Sequence, residues 1–274
     1  MEGQIPVSII IATKNEQRNI VTCLESVSYF SEVIVVDSNS SDKTGLLAKE
    51  FGAKVVNFSW NGTFPKKRQW IIDNIKTVNN WALFLDADER MTVELASEIQ
   101  NFLLNRNINS YSAGRITMRT YINGKPLKFG YKIRSIKLVK FSETNFPIVN
   151  DLDAPGMGEI EGHYQPLFTG KVFNLKQKLD HNDLDASSDW YHRHIRYAEW
   201  DAWIRSHPET WNQVNKSKTG ISWLFHVSPF RPFTFFLYSY FLKFGFLDGR
   251  AGLRNTLNYS WYYWLADVFY SEKQ

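Results

Sequence analysis

Asp86 and Asp88 stand one residue apart, immediately after the apolar run Trp81-Ala82-Leu83-Phe84-Leu85. Two hard carboxylate ligands that close together suit a divalent cation such as Mg2+ or Mn2+, which can in turn carry phosphate oxygens. The apolar run reads as a buried strand, because strands covered on both faces are near-continuous in large apolar side chains. Ligands of open α/β sheets bind at the carboxyl ends of the strands, so the pair is expected at the mouth of a cleft. The alternative is purely structural: Asp88 caps a helix that starts near Thr92, and Asp86 is a solvated turn residue.

The elements that must position the pair follow from the pattern before it. Residues 5–12 are β-branched and apolar and predict a first strand, with Thr13-Lys14-Asn15-Glu16 as the loop at its end. A helix to about residue 29 carries Ile20, Leu24 and Val27 on one stripe. Residues 33–36 predict a second strand, ending in Asp37-Ser38-Asn39-Ser40-Ser41-Asp42. A helix over 44–51 closes at Gly52, a third strand covers 54–58, and a helix covers 64–75. Strand and helix alternate four times, which predicts a parallel sheet with right-handed crossovers. Thr13, Asn15, Glu16, Asp37, Ser38, Asp42, Asp86 and Asp88 then gather along one edge of it.

No strand is followed by G-x-G-x-x-G or by G-x-x-x-x-G-K-[ST], so a hydride-transfer enzyme and a P-loop nucleotidase both lack their phosphate cradle. Phosphate has to be met by a metal and by cations, of which Lys66, Lys67 and Arg68 at a helix start are best placed; otherwise that trio is a solvated helix face.

At 274 residues, 43% hydrophobic and 22% charged, the chain can bury a substantial core in one or two domains. A formal charge of +4 does not argue for nucleic acid as a partner. The single cysteine, Cys23, rules out an internal disulfide and sits where a helix buries its stripe. With no basic leader and no long apolar run, the expected location is the cytoplasm.

Ala12-Thr13-Lys14-Asn15-Glu16, Val35-Val36-Asp37-Ser38-Asn39-Ser40-Ser41-Asp42 and Leu85-Asp86-Ala87-Asp88-Glu89, at these spacings, resemble the family 2 glycosyltransferases with a GT-A fold. The resemblance implies a Rossmann-like α/β fold: a mixed sheet with flanking helices that binds a nucleoside diphosphate sugar. By it, Thr13, Asn15, Glu16 and Asp37 would contact the base and ribose of the donor; Ser38, Lys67 and Arg68 are further candidates for the donor nucleotide site. Asp88 would be the direct metal ligand and Asp86 would lie nearer the ribose or sugar.

Residues 114–122 and 135–141 alternate like half-exposed strands around a turn at 123–126 and look like the acceptor half of that fold. In such inverting enzymes a carboxylate of this half is the general base. Here Glu161 precedes His163, which departs from the family's V-H-E order, and Glu159 shares its side if the segment is extended. Glu161 is the first choice, Glu159 the second, with Asp151 and Asp153 behind them, and His163 is a candidate acceptor or phosphate contact. His181 either completes the metal site, touches the diphosphate or is a hydrogen-bonded structural residue. Arg193 and Arg196, three apart on one helical face, either bind a phosphate-bearing acceptor or pair with Asp189 and Glu199.

The expected organisation is a catalytic domain over 1–220, divided near 110 into donor and acceptor halves, and an aromatic and basic helical extension over 221–274. Aromatics interleaved with Lys216, Lys218, Arg231, Lys243, Arg250 and Arg254 suit an anionic membrane interface; packing on the catalytic domain or a homodimer contact is the alternative. Arg231-Pro232 followed by Lys243-Phe244-Gly245-Phe246-Leu247-Asp248-Gly249-Arg250 also resembles the tail of bacterial family 2 enzymes that build lipopolysaccharide core and other lipid-linked glycans. The expectation is an inverting, metal-assisted hexosyltransferase using a UDP-sugar and a lipid-linked or cell-surface glycan acceptor, peripheral on the inner face of the cytoplasmic membrane. A sugar nucleotidyltransferase should carry a Gly-rich basic loop where Thr13-Lys14-Asn15-Glu16 stands, and a non-catalytic membrane-surface scaffold has no need of the acid pair.

Overall fold

The computed structural model describes residues 4–161, 164–215, 225, 228 and 230–273. Four parallel strands form its first half: β1 (Ile5–Thr13), β2 (Phe30–Asp37), β3 (Lys54–Asn57) and β4 (Trp81–Asp86). Helices α1 (Ile20–Ser26), α2 (Thr44–Glu50) and α3 (Lys67–Asn74) make the crossovers. Both faces of the strands are buried, as the unbroken apolar runs demand. Ile9, Ile11, Leu83 and Leu85 enter one core layer, while Ile10, Ala82 and Phe84 enter the other. Each fully buried Ile or Leu contributes about 1.5–3 kcal/mol, so this sheet is a rigid support for whatever its ends carry.

Register does the positioning. Thr13 lies opposite Asp37 in the β1–β2 pairing, and Ala12 lies opposite Asp86 in the β1–β4 pairing. Beyond β4 the sheet turns mixed. β8 (Arg134–Lys140) runs antiparallel to β4, β6 (Tyr111–Ile122) antiparallel to β8, and β9 (Lys171–His181) parallel to β6. β5 (Glu89–Arg90) closes this edge and β7 (Lys125–Pro126) pairs with β6, making nine strands among the described residues. This is the mixed α/β architecture that the sequence predicts.

Three local expectations change. Glu89 and Arg90 do not lead into a helix but pair with β9, which sets Glu89 opposite His181. The helix that follows, α4 (Val93–Leu103), is capped by Thr92, whose side chain accepts the amide hydrogen of Leu95 at 3.1 Å. Asp88 is therefore not a helix cap. The segment before Glu161 is a run of turns, not an extended strand. Its Gly156 has φ +90 and lies so close to Arg196 that a Cβ would sit 2.3 Å from that carbonyl oxygen.

That carbonyl belongs to α5 (Ser187–Arg205), which is followed by α6 (Pro208–Asn215). In the C-terminal part, α7 (Arg231–Phe236) continues into a π-helical turn (Leu237–Leu242), and α8 (Gly249–Ser271) packs along α5. Arg231 is wholly buried there, 3.0 Å from Asp201 and 2.6 Å from Asp267. Among the described residues no helix is long and apolar enough to cross a membrane.

Lys66 and Asp151 form a buried ion pair at 2.8 Å. Asp151 also accepts hydrogen bonds from the hydroxyl of Tyr164 and, at 3.0 Å, from the indole of Trp200. The pair ties the start of α3 to α5 through the intervening loop. Asp151→Ala leaves a buried ammonium without its partner and should cost about 3–5 kcal/mol, read as a lowered urea midpoint.

Candidate functional site

The ends of β1 and β2 build a polar wall. Thr13 donates its hydroxyl to Asp37 at 2.9 Å, and the other Asp37 oxygen accepts the amide of Ser40, also at 2.9 Å. The amide of Ser38 donates to the carbonyl of Thr13 at 3.0 Å, while its hydroxyl is buried with no hydrogen-bond partner among the described residues. Asn15, held at φ 58, accepts the amide of Ser41 at 2.8 Å and so clasps the two loops together. Lys67 reaches across from α3 and donates to the carbonyl of Thr13 at 3.0 Å. Burial pushes its ammonium down to about 8, against the pull of Glu159 and Asp37. Lys66 and Lys67 are buried, so this end of α3 is not a solvated face.

Glu16 lies in the loop after β1, accepting from the Asn19 side-chain amide at 3.0 Å. Burial pushes its carboxyl up to about 7, reinforced by the negative charges of Asp88, Asp185 and Asp183.

The end of β4 carries the densest charge. Lys137, buried in β8, places its ammonium 2.7 Å from Glu89 and 3.3 Å from Asp86. The same Glu89 oxygen accepts the amide of Asp86 at 3.0 Å, which fixes the turn that presents the acid pair. Asp86 still exposes 49% of its side chain. Burial alone would raise the Asp86 carboxyl, but Lys137 and then Arg68 overcome it and hold it below the usual range. Burial pushes Glu89 up to about 7 although Lys137 adjoins it. Burial alone would lower Lys137, but its two carboxylate neighbours hold it above its ordinary value.

Asp88 meets His181 from β9, with 3.1 Å between Oδ2 and Nε2. Despite burial, the imidazolium draws Asp88 down to about 2, and despite burial Asp88 draws His181 up to about 9. The second oxygen of Asp88 is buried without a partner among the described residues. One carboxylate and one imidazole fit a divalent cation as part of its shell. Among the described residues no group of three or more such side chains converges, so remaining donors would have to come from a bound molecule.

At the start of α3 Glu161 is buried, and one of its oxygens accepts the amides of Arg68 at 2.6 Å and Gln69 at 3.0 Å. It thus caps the first turn of α3, and burial raises its carboxyl despite the opposing Arg68 charge and these bonds. Glu161 also lines a cavity of about 390 Å³ with Phe64, Gln69, Asn145 and Phe146. Glu159 points elsewhere, 4.0 Å from Lys67. Asp151 is enclosed in its ion pair and Asp153 is exposed.

Arg193 does not pair with Asp189 or Glu199. It is held by Asp183 and, at 3.2 Å, by Asp185, both in the loop after β9, while Arg196 is exposed. His163 lies outside the described residues. Lys137, Glu89, Asp183 and Asp185 are the participants that sequence reasoning missed. Only Lys137 left a signal: a lysine in register with inward positions of an alternating strand calls for an acidic partner.

A family model described as glycosyl transferase family 2 matches residues 8–158. An uncharacterized glycosyltransferase of Rickettsia conorii is 38% identical over 178 residues, 64% of this chain and 61% of its own. One from Rickettsia prowazekii is 31% identical over 172 residues, 62% of this chain and 57% of its own. The chain therefore spans about three fifths of the length of these relatives. The lipopolysaccharide core biosynthesis glycosyltransferase LpsC of Rhizobium meliloti is 24% identical over 142 residues, half of this chain and 49% of its own. Among solved structures, glucosyl-3-phosphoglycerate synthase from Mycobacterium tuberculosis with Mn2+, UDP-glucose and phosphoglyceric acid aligns at 20% identity. It covers 43% of this chain and 44% of its own, with a TM-score of 0.29.

Two outcomes follow from the electrostatics. Lys137→Met leaves Glu89 and Asp86 without their cation and should cost about 3 kcal/mol near pH 8, and less near pH 5, where Glu89 takes up a proton instead. Chemical denaturation at the two pH values reads the difference. Glu16 has a folded value of about 7 against 4.5 ordinarily, so the folded chain holds that proton more tightly. Its contribution to stability is full at low pH and is lost as pH rises through that interval; Glu16→Gln should flatten this part of the stability profile in urea melts.

Proposed function

The chain belongs to glycosyl transferase family 2, and on that premise we propose that it transfers a hexose from a UDP-sugar to a hydroxyl of a lipid-linked or cell-surface glycan, with inversion at the anomeric carbon. The observation that carries this reading is the convergence of Thr13, Asp37 and Asp86 at adjacent strand ends beside the Asp88–His181 pair. Asp37, both of whose oxygens are held by the wall around it, shapes the nucleoside site, and the free hydroxyl of Ser38 is available to a ligand. Asp86, half exposed and kept ionised by Lys137, faces the ribose or the sugar. Lys67 and Arg68 approach the phosphates from the start of α3.

Asp88 and His181 would hold the Mg2+ or Mn2+ ion that offsets charge on the departing diphosphate. The imidazole has to release its proton to serve as a ligand, so donor binding should be stronger above neutral pH than below it. Glu161 is our choice for the general base. Two backbone amides orient its carboxylate, burial raises its affinity for a proton, and it borders a cavity that would admit the acceptor. Glu159, drawn toward Lys67, serves the donor side instead. The lipopolysaccharide role named for the Rhizobium relative points to the same acceptor class. An enzyme of that kind works on the inner face of the cytoplasmic membrane, with residues 1–220 as its catalytic part and the remainder as its membrane-side extension.

Calorimetric titration of UDP and UDP-sugars in the presence of Mn2+ tests the donor assignment. Wild type should bind, and Asp88→Asn should lose at least about tenfold in affinity while melting as a folded protein. Undiminished binding by the variant would remove Asp88 from the metal site, and failure of every nucleotide to bind would sink the transferase reading.

A further inference from the structure

The helix at the start of the C-terminal part faces the wrong way for a soluble protein. Its buried positions are Arg231, Phe235 and Ser239, one turn apart. Arg231 is locked by Asp201 and Asp267, Phe235 packs on Tyr131, Tyr259 and Tyr263, and Ser239 lies 3.3 Å from Thr256. This inner face is therefore firmly docked. The opposite face presents Phe230 (68% exposed), Phe233 (62%), Leu237 (38%), Phe241 (51%) and Leu242 (70%), and Phe244 (54%) follows directly. Scattered apolar side chains on a surface need no explanation, but a continuous helical face of them does.

Charge decides what covers it. Exposed Lys243 and Arg250 follow the face along the chain. The loop after β7 docks on the inner side of the helix, its Gly130 amide donating to the carbonyl of Lys243 at 2.8 Å and its Tyr131 amide to Ser239 at 3.2 Å. Asp248, the one acid in residues 230–254, turns inward and accepts the amides of Lys128 at 3.1 Å and Phe129 at 2.8 Å. The ammonium of Lys243 lies 5.4 Å from the ring centre of Tyr238, so a cation sits level with an aromatic ring. Rings and leucines on the outward side, cations beside them in the chain and no outward acid in residues 230–254 are the chemistry of an interfacial helix on anionic lipid.

We propose that the outward face of residues 230–244, together with Lys243 and Arg250, is a docking surface for an anionic lipid bilayer. Phe233, Leu237 and Phe241 enter the acyl boundary while the two cations meet the headgroups. The proposal deepens the membrane-side reading given above and rests on it for its biological setting; the binding itself needs no turnover.

The test uses the full chain and flotation with two kinds of vesicle, phosphatidylethanolamine with phosphatidylglycerol, and pure phosphatidylcholine. Wild type should float with the anionic vesicles and at least about tenfold less with the zwitterionic ones. The triple variant Phe233→Ser, Leu237→Ser, Phe241→Ser and, separately, the pair Lys243→Glu, Arg250→Glu should each lose at least about tenfold in partitioning. Circular dichroism melts confirm that both variants remain folded. Wild type that stays off anionic vesicles, or variants that bind as well as it does, would overturn the proposal. So would a wild-type dimer in light scattering that the triple variant breaks, which would assign the face to a second copy. Nucleotide titration is scored separately, so a failed donor assignment and a failed lipid surface give different patterns.

Discussion

One buried ammonium governs the end of the fourth strand. Asp86, Asp88 and Glu89 crowd into a single turn, and like charges about 4 Å apart repel by about 4 kcal/mol at the effective dielectric near a protein surface. Lys137 reaches in from β8 and touches two of the three. Glu89 then acts as the inner anchor, bonded both to that ammonium and to the amide of Asp86, and Asp86 is left ionised and half exposed. The third acid, Asp88, is compensated from another direction by His181. The acid turn therefore depends on two cationic side chains supplied by antiparallel strands that enter the sheet much later in the chain.

The site joins the two halves of the sheet for that reason. The parallel half contributes strand ends fixed by register, with Thr13 against Asp37 and Ala12 against Asp86. The mixed half contributes counter-charges, and the short β5–β9 pairing is what sets His181 beside the acid pair. A third set of residues joins in: the loop before Glu161 is pressed against α5 at Gly156 and pinned by the Lys66–Asp151 pair. Glu161 meets α3 as a cap, which aims its carboxylate through the helix backbone instead of through another side chain.

The C-terminal part is built on the same principle of enclosed cations. Arg231 sits between Asp201 and Asp267, Arg205 shares Asp267 at 2.6 Å, and aromatic rings cover them. Such a network gains little from Coulomb attraction alone, but it links α5, α7 and α8 to one another through side chains. With the inner face of α7 so fixed, its apolar outer face is a stable feature of the surface.

Local pattern was enough for the α/β class, the first four strands with their parallel direction and the set of polar residues at their ends. Alternation, apolar runs and turn chemistry are short-range properties, and the strand–helix rhythm they set up implies parallel pairing. Thr13, Asp37, Asp86 and Asp88 were legible on those grounds. The partners of the acids were not. Nothing near Glu89 in sequence announces Lys137, nothing near Asp88 announces His181, and Arg193 looked to acids on its own helix when its partners lay in the preceding loop. Whether Glu161 was free or a cap, and whether Asp88 was a cap or free, also depended on which segments meet in space. Electrostatic compensation acts over a few ångströms regardless of separation along the chain, so the residue types that do the chemistry can be read in one dimension, whereas their charge states and orientations are decided only by the fold.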